Sequence, residues 1–255
     1  MTRHALSLAL LLAVPPAAGA APDTARTPDA ATVIARVIEA YGGRARLEKV
    51  KSYRIEGTLT AVRRGNLTVP TSRDFARPSR LRIEIHYPGH PEIRVLDGAR
   101  GWRTDEQGVT GEATGPFLEA MILQTARAHV PWILAGAADK ARRIEPMEHK
   151  GTQLIGLEFP LSSILTFRAY VHPSTWRVEI SQGLLAHGGM TTHFETYYED
   201  FRTVEGVLFA FREENYASGA HTGWTNVEKV ILNPKLPPST FAQPPGTPEG
   251  EDREG

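Results

Sequence analysis

Hydrophobic and polar residues change their period repeatedly along the chain, and each change predicts an element. Val33, Ile34, Val37, Ile38 and Tyr41 recur at helical spacing behind Asp29, which is able to cap a helix, and Gly42-Gly43 supplies the stop. This predicts one amphipathic N-terminal helix. From Val50 the period drops to two. Tyr53, Ile55, Gly57, Leu59 and Ala61 alternate with Arg54, Glu56, Thr58 and Thr60, the pattern of a strand with one buried and one wet face. The alternation returns in Leu81, Ile83, Ile85 and Tyr87, then in Ile93 and Val95, before Asp97-Gly98 turns the chain and Trp102 falls on the returning strand.

Strand character stops at Gly115. Phe117, Leu118, Met121, Ile122, Ala126, Val130, Ile133 and Leu134 fit a helical stripe over residues 116–135, interrupted near Pro131 and ended by Gly136. One kinked helix or two short ones are expected. Strands resume at 142–149, 153–160, 165–171, 176–181, 191–201, 207–216 and 222–232, with turns at Lys150-Gly151, Gly188-Gly189, Glu205-Gly206 and Ser218-Gly219. The order is a helix, about five strands, a helical insert and about seven strands, with short turns that make sequence neighbours pair. The fold class is mainly β with helices. A curled antiparallel sheet of about 11–12 strands, an incomplete β barrel, is covered by a helical lid and preceded by the N-terminal helix.

The ends change the picture in a different way. Arg3, an apolar run of about ten residues over 5–14, and the small residues Ala18-Gly19-Ala20 read as a secretory signal over 1–20, cleaved after Ala20. Pro15 and Pro16 break the run before it reaches the roughly 20 residues of a membrane span. No Cys follows it to accept a lipid. The expected localisation is a periplasm, with a soluble mature chain: a flexible lead-in over 21–28, one β domain over 29–241 and a disordered acidic tail over 242–255. The whole chain contains no Cys, so disulfides, thiol nucleophiles and thiolate metal sites are excluded. The formal net charge is zero, with the signs mixed and no basic block, which argues against nucleic acid as a partner.

Several segments resemble those of the periplasmic lipoprotein carriers and outer-membrane lipoprotein-sorting proteins of the LolA and LolB type. They are Ala40-Tyr41-Gly42-Gly43, the run from Val50 to Thr58, Asp97-Gly98-Ala99-Arg100-Gly101-Trp102, Tyr170-Val171-His172-Pro173-Ser174-Thr175, the run from Tyr197 to Phe209, and Leu232-Asn233-Pro234. The resemblance spans most of residues 30–241. His172 stands where many relatives carry Asp, at a turn. The resemblance implies an open β barrel covered by helices, whose apolar interior binds acyl chains of a lipid or lipoprotein. It also implies a membrane-bound donor and acceptor as transfer partners, no cofactor, no catalysis and a monomer.

Shielding an acyl chain releases about 0.8 kcal/mol per methylene, so an apolar concave face is the feature sought. Its candidate lining residues are Tyr53, Ile55, Leu59, Leu81, Ile83, Ile85, Ile93, Val95 and Trp102 from strands, with Phe117, Met121, Ile122 and Trp132 from the lid. Each is equally a core residue by type. Nine His residues raise a metal reading, yet neither His86 with His90 nor His187 with His193 sits on a predicted helix with a carboxylate at ligand spacing. His-Glu-x-x-His, Gly-x-Ser-x-Gly and Gly-rich phosphate loops are absent. Arg63-Arg64 beside Gly65-Asn66 reads as a soluble hairpin tip, and the carboxylates Glu195, Glu199 and Asp200 as a solvated strand face. The rival readings are a lipid-responsive sensor acting through protein contact and, behind it, an extracytoplasmic hydrolase.

Overall fold

A computed structural model describes residues 28–105 and 107–248. The signal segment, all but the last residue of the lead-in and the end of the acidic tail lie outside the described residues. Helix α1 (Ala30–Ala40) is capped as expected, with the Asp29 carboxylate accepting from the Thr32 amide at 2.8 Å. It buries Val33, Ile34, Val37 and Ile38 almost completely. A second, short helix α2 (Arg44–Lys49) follows.

Strands β1 (Ser52–Ala61), β2 (Leu67–Ala76), β3 (Arg80–Ile85), β4 (Glu92–Asp97), β5 (Arg100–Thr104) and β6 (Val109–Ala113) form one wing of an antiparallel meander. The wing has six strands where about five were expected. Helices α3 (Gly115–Ala128) and α4 (Val130–Ala135) come next, and the helical stripe is therefore two helices, broken at His129 with Pro131 in the first turn of α4. The second wing meanders back through β7 (Arg142–His149), β8 (Thr152–Pro160), β9 (Leu165–Val171), β10 (Val178–His187), β11 (Met190–Val204), β12 (Val207–Ala217) and β13 (Ala220–Leu232). β13 then pairs with β1, joining the wings in the middle of one continuous sheet.

That topology explains the lid. β6 and β7 stand toward opposite ends of the strand order, so the connection between them has to travel across the whole sheet. An apolar connection of this length lowers its free energy by lying on the sheet's inner face, and α3, α4 and α1 share the main core with it. The sheet does not close into a barrel. One edge is β7. At the other, the tail expected to be without structure adds β14 (Thr247–Pro248) in parallel beside β6.

Four of the segments that resemble LolA-type sequences make contacts between distant parts of the chain. Gly42 has φ +120°, and a Cβ there would stand 2.3 Å from the Gly206 carbonyl oxygen. The Leu208 amide donates to the Tyr41 carbonyl at 3.2 Å, and the Arg46 guanidinium donates to the Gly206 carbonyl at 3.1 Å. The tip between β11 and β12 is thereby fixed to the end of α1. Asn233 does the same for the start of β1: its Oδ1 accepts from the Lys51 amide at 2.7 Å, and its own amide donates to the Ser52 carbonyl at 2.8 Å.

Substituting Gly42→Ala should cost about 1–3 kcal/mol, because a Cβ meets backbone at a positive φ. Gly65→Ala, at φ +67° with nothing near its Cβ position, should cost less. The two urea midpoints measure the difference.

Candidate functional site

Residues opposite one another in an antiparallel ladder point to the same face, so the strand register identifies the inner surface. On the first wing Arg73 pairs with Ile83, Ile83 with Arg94 and Arg94 with Arg103, while Thr71 pairs with Ile85 and Phe75 with Leu81. On the second wing Tyr198 pairs with Glu213, Glu213 with Thr225, and Thr225 with Leu59 across the central seam. Between this surface and α3 lies a cavity of about 460 Å³, lined by the apolar residues Leu59, Ile83, Ile85, Phe117 and Met121 and by the polar residues Arg73, Arg94, Arg127, Thr196, Tyr198 and Glu213. Its size falls within the range of about 300–1,000 Å³ common for small-molecule sites.

Under the junction of α3 and α4 the core is built on aromatic packing. Tyr53 stacks on Phe75 and Trp132 at centroid separations of 5.2 and 5.4 Å, and His129, at the break between α3 and α4, lies 3.5 Å from Phe75. The phenol of Tyr53 donates to the Ala128 carbonyl at 2.9 Å, and that of Tyr198 donates to the Arg127 carbonyl at 2.6 Å. Both carbonyls belong to the last turn of α3, where no intrahelical donor remains. The Trp132 indole donates to the Leu47 carbonyl at 3.0 Å and ties α4 to α2.

Charge inside the cavity is unevenly matched. Arg73 donates to Glu213 at 2.8 Å with both side chains close to nine-tenths buried. Burial opposes the Arg73 charge, but the attraction and hydrogen bond of Glu213 outweigh it and hold the guanidinium above its ordinary range. Arg94 is held by Glu92 and by the Gln124 side chain at 3.2 Å. Arg127 is different. Its Nη1 donates to Thr196 Oγ1 at 2.9 Å, its Nε is buried with no hydrogen-bond partner, and no carboxylate pairs with it among the described residues. Burial lowers its pKa and outweighs the opposing influence of Tyr198 and Glu213, and the nearby Arg94 charge lowers it slightly further.

Of the residues proposed from sequence, Leu59, Ile83, Ile85, Phe117 and Met121 line the cavity. Tyr53, Ile55, Leu81 and Trp132 are buried in the main core. Ile122 is partly buried and packs against both that core and a side cluster of Leu123, Leu165 and Leu185. Ile93, Val95 and Trp102 were expected on the concave face and are not there. They pack with Ala76 and Phe241 in a separate cluster, supported by Leu236. On β4 the polar residues Glu92 and Arg94 face the cavity and Leu96 joins the main core, while Ile93 and Val95 face the chain that follows β13. Alternation defines two faces without saying which is inside.

Sequence reasoning also passed over the polar lining. Arg73, Arg94, Arg127 and Glu213 are not among its candidates, and all four line the cavity. The missed signal lay in Leu236 and Phe241, an apolar pair beyond the last strand able to cover an outer face. Among the described residues no group of three metal-ligating side chains comes together, and no helix is long and apolar enough to cross a membrane.

His129 is 5% exposed, and burial, reinforced by the Arg77 charge, holds its pKa well below the ordinary 6.5. Above that value the ring is neutral folded or unfolded and contributes no pH dependence. Below it the unfolded chain takes up a proton that the folded chain does not, so stability should fall by about 1.4 kcal/mol per pH unit. Urea titrations between pH 7 and 5 (about the window in which His alone titrates) should show this slope in the native protein and its loss in His129→Phe.

Removing one partner of the buried pair strands the other. Arg73→Met should cost about 3–5 kcal/mol, and adding Glu213→Leu should recover much of it. Thermal unfolding of the two variants gives the comparison.

No family model matches the sequence, and no curated protein matches it. Solved structures do. A LolA superfamily protein from Nitrosomonas europaea superposes with a TM-score of 0.56 at 11% identity, covering 85% of this chain and 99% of that one. A protein from Vibrio parahaemolyticus, described as an outer membrane lipoprotein-sorting protein domain, superposes with a TM-score of 0.50 at 10% identity, covering 82% and 95%. With helices lying on the inner face of an open antiparallel sheet, the chain has a LolA/LolB-like fold.

Proposed function

We propose that the protein is a periplasmic, non-enzymatic carrier or binding protein that holds acyl chains of a lipid or lipoprotein between the sheet and α3. The observation that carries this reading is the cavity of about 460 Å³ with Leu59, Ile83, Ile85 and Met121 in its lining. The likeness to structures of the lipoprotein-sorting type supports it at the level of fold. A chain packed against these residues leaves water at about 0.8 kcal/mol per methylene, and Met121 adapts its shape to different ligands at little cost. Phe117, 63% exposed at the mouth, offers an apolar step between solvent and interior. Loading from one membrane and delivery to another require protein or membrane partners at each end.

Native mass spectrometry of the protein isolated from its own compartment should find acylated material bound. Ala120→Trp, which places an indole in the cavity from α3, should abolish that occupancy while leaving the circular dichroism spectrum unchanged. A native protein that is empty and takes up no neutral acyl probe defeats the proposal.

A further inference from the structure

The cavity lining carries more positive than negative charge. Four arginines line it, Arg73, Arg94, Arg103 and Arg127, against two glutamates, Glu92 and Glu213. Each glutamate is committed to one arginine, Glu213 to Arg73 and Glu92 to Arg94. Arg103 lies over the Phe117 ring at 5.2 Å, at the mouth. Arg127 is left inside the cavity wall with a buried Nε that donates to nothing, over the Phe194 ring at 5.6 Å, and with no carboxylate in ion-pair contact among the described residues, Glu213 acting on it only from a distance.

A guanidinium out of water without a counter-anion is costly, and its planar fork of donors suits a carboxylate or phosphate. The surroundings hold the fork in place. Thr196 Oγ1 accepts from Arg127 Nη1 and donates to Asn215 Oδ1 at 2.9 Å, and the Arg127 carbonyl is fixed by the Tyr198 phenol. Gln124, one turn earlier on α3, ties Arg94 to the same region at 3.2 Å.

We propose that Arg127, assisted by Arg94, binds the anionic group of the cavity's occupant, so that the ligand is an anionic amphiphile with its carboxylate or phosphate at α3 and its acyl chain along Leu59, Ile83 and Ile85. This rests on the carrier reading and specifies its ligand class. An ion pair formed in the cavity is poorly screened, so headgroup charge selects the ligand while the chain supplies the remaining affinity.

The test compares dodecyl phosphate, dodecanoate and dodecanol, together with inorganic phosphate and acetate, by equilibrium dialysis against the native protein and Arg127→Gln. The two anionic amphiphiles should bind the native protein about tenfold or more tightly than dodecanol. Arg127→Gln should remove the preference and leave dodecanol binding unchanged. If Arg127→Gln does not fold, Arg94→Gln should lower the preference in part, and the comparison of ligands on the native protein stands without any variant. Equal binding of all three amphiphiles overturns the headgroup assignment and leaves the carrier reading intact. Binding of phosphate or acetate as tight as that of the amphiphiles keeps the anion site and defeats the carrier reading. A preference that survives Arg127→Gln overturns the role of Arg127, and binding of none of the five compounds overturns both ideas.

Discussion

Two phenolic hydroxyls hold the lid in place. Tyr53 and Tyr198 stand on opposite wings of the sheet, in β1 and β11, and both donate to carbonyls in the last turn of α3. A helix that ends against a protein interior has to find donors for those oxygens. Here the sheet provides them, and the provision fixes the helix in position above both wings. Burial raises the pKa of both phenols, so they remain donors at any ordinary pH. The position of Arg127, the break at His129 and the start of α4 all follow from where that turn is anchored.

The same arrangement leaves room beneath α3 that is neither a hydrophobic core nor open solvent. The Arg73–Glu213 pair links β2 to β12 across the β1–β13 seam. A buried pair of this kind contributes little net stability compared with apolar residues of the same volume. It does keep polar atoms beside the aliphatic side chains of the same inner face, and an amphiphile needs both. The LolA/LolB-like fold thus encloses, in this chain, an interior that is partly polar.

Much of the architecture was legible from the sequence because it depends on local rules. Lys150-Gly151, Glu205-Gly206 and Ser218-Gly219 all take two successive positive φ values, the backbone that tight hairpins require, so the turns and the pairing of neighbours could be read directly. The helical lid was readable from its period and from Pro131. What could not be read was which side of β4 and β5 faces inward, because a non-local event decides it: residues around Leu236 and Phe241 return to cover Ile93, Val95 and Trp102. The polar lining was lost for the same reason. Placing Ile93 and Val95 on the concave face puts Arg94 on the outer one, and the structure has the reverse.

The seam between the wings also constrains how the chain can acquire its structure. Tyr53 pairs with Leu232 and Ala61 with Gly223, so the central ladder joins residues from nearly opposite ends of the sequence. Every other antiparallel pair in the sheet joins strands adjacent in sequence. Each wing can zip up locally, but β1 keeps a bare edge until β13 has been made and has reached it. A chain emerging from its N-terminus therefore passes through a half-assembled state with an adhesive strand exposed, and the rate at which the two halves find each other governs how much of it escapes aggregation.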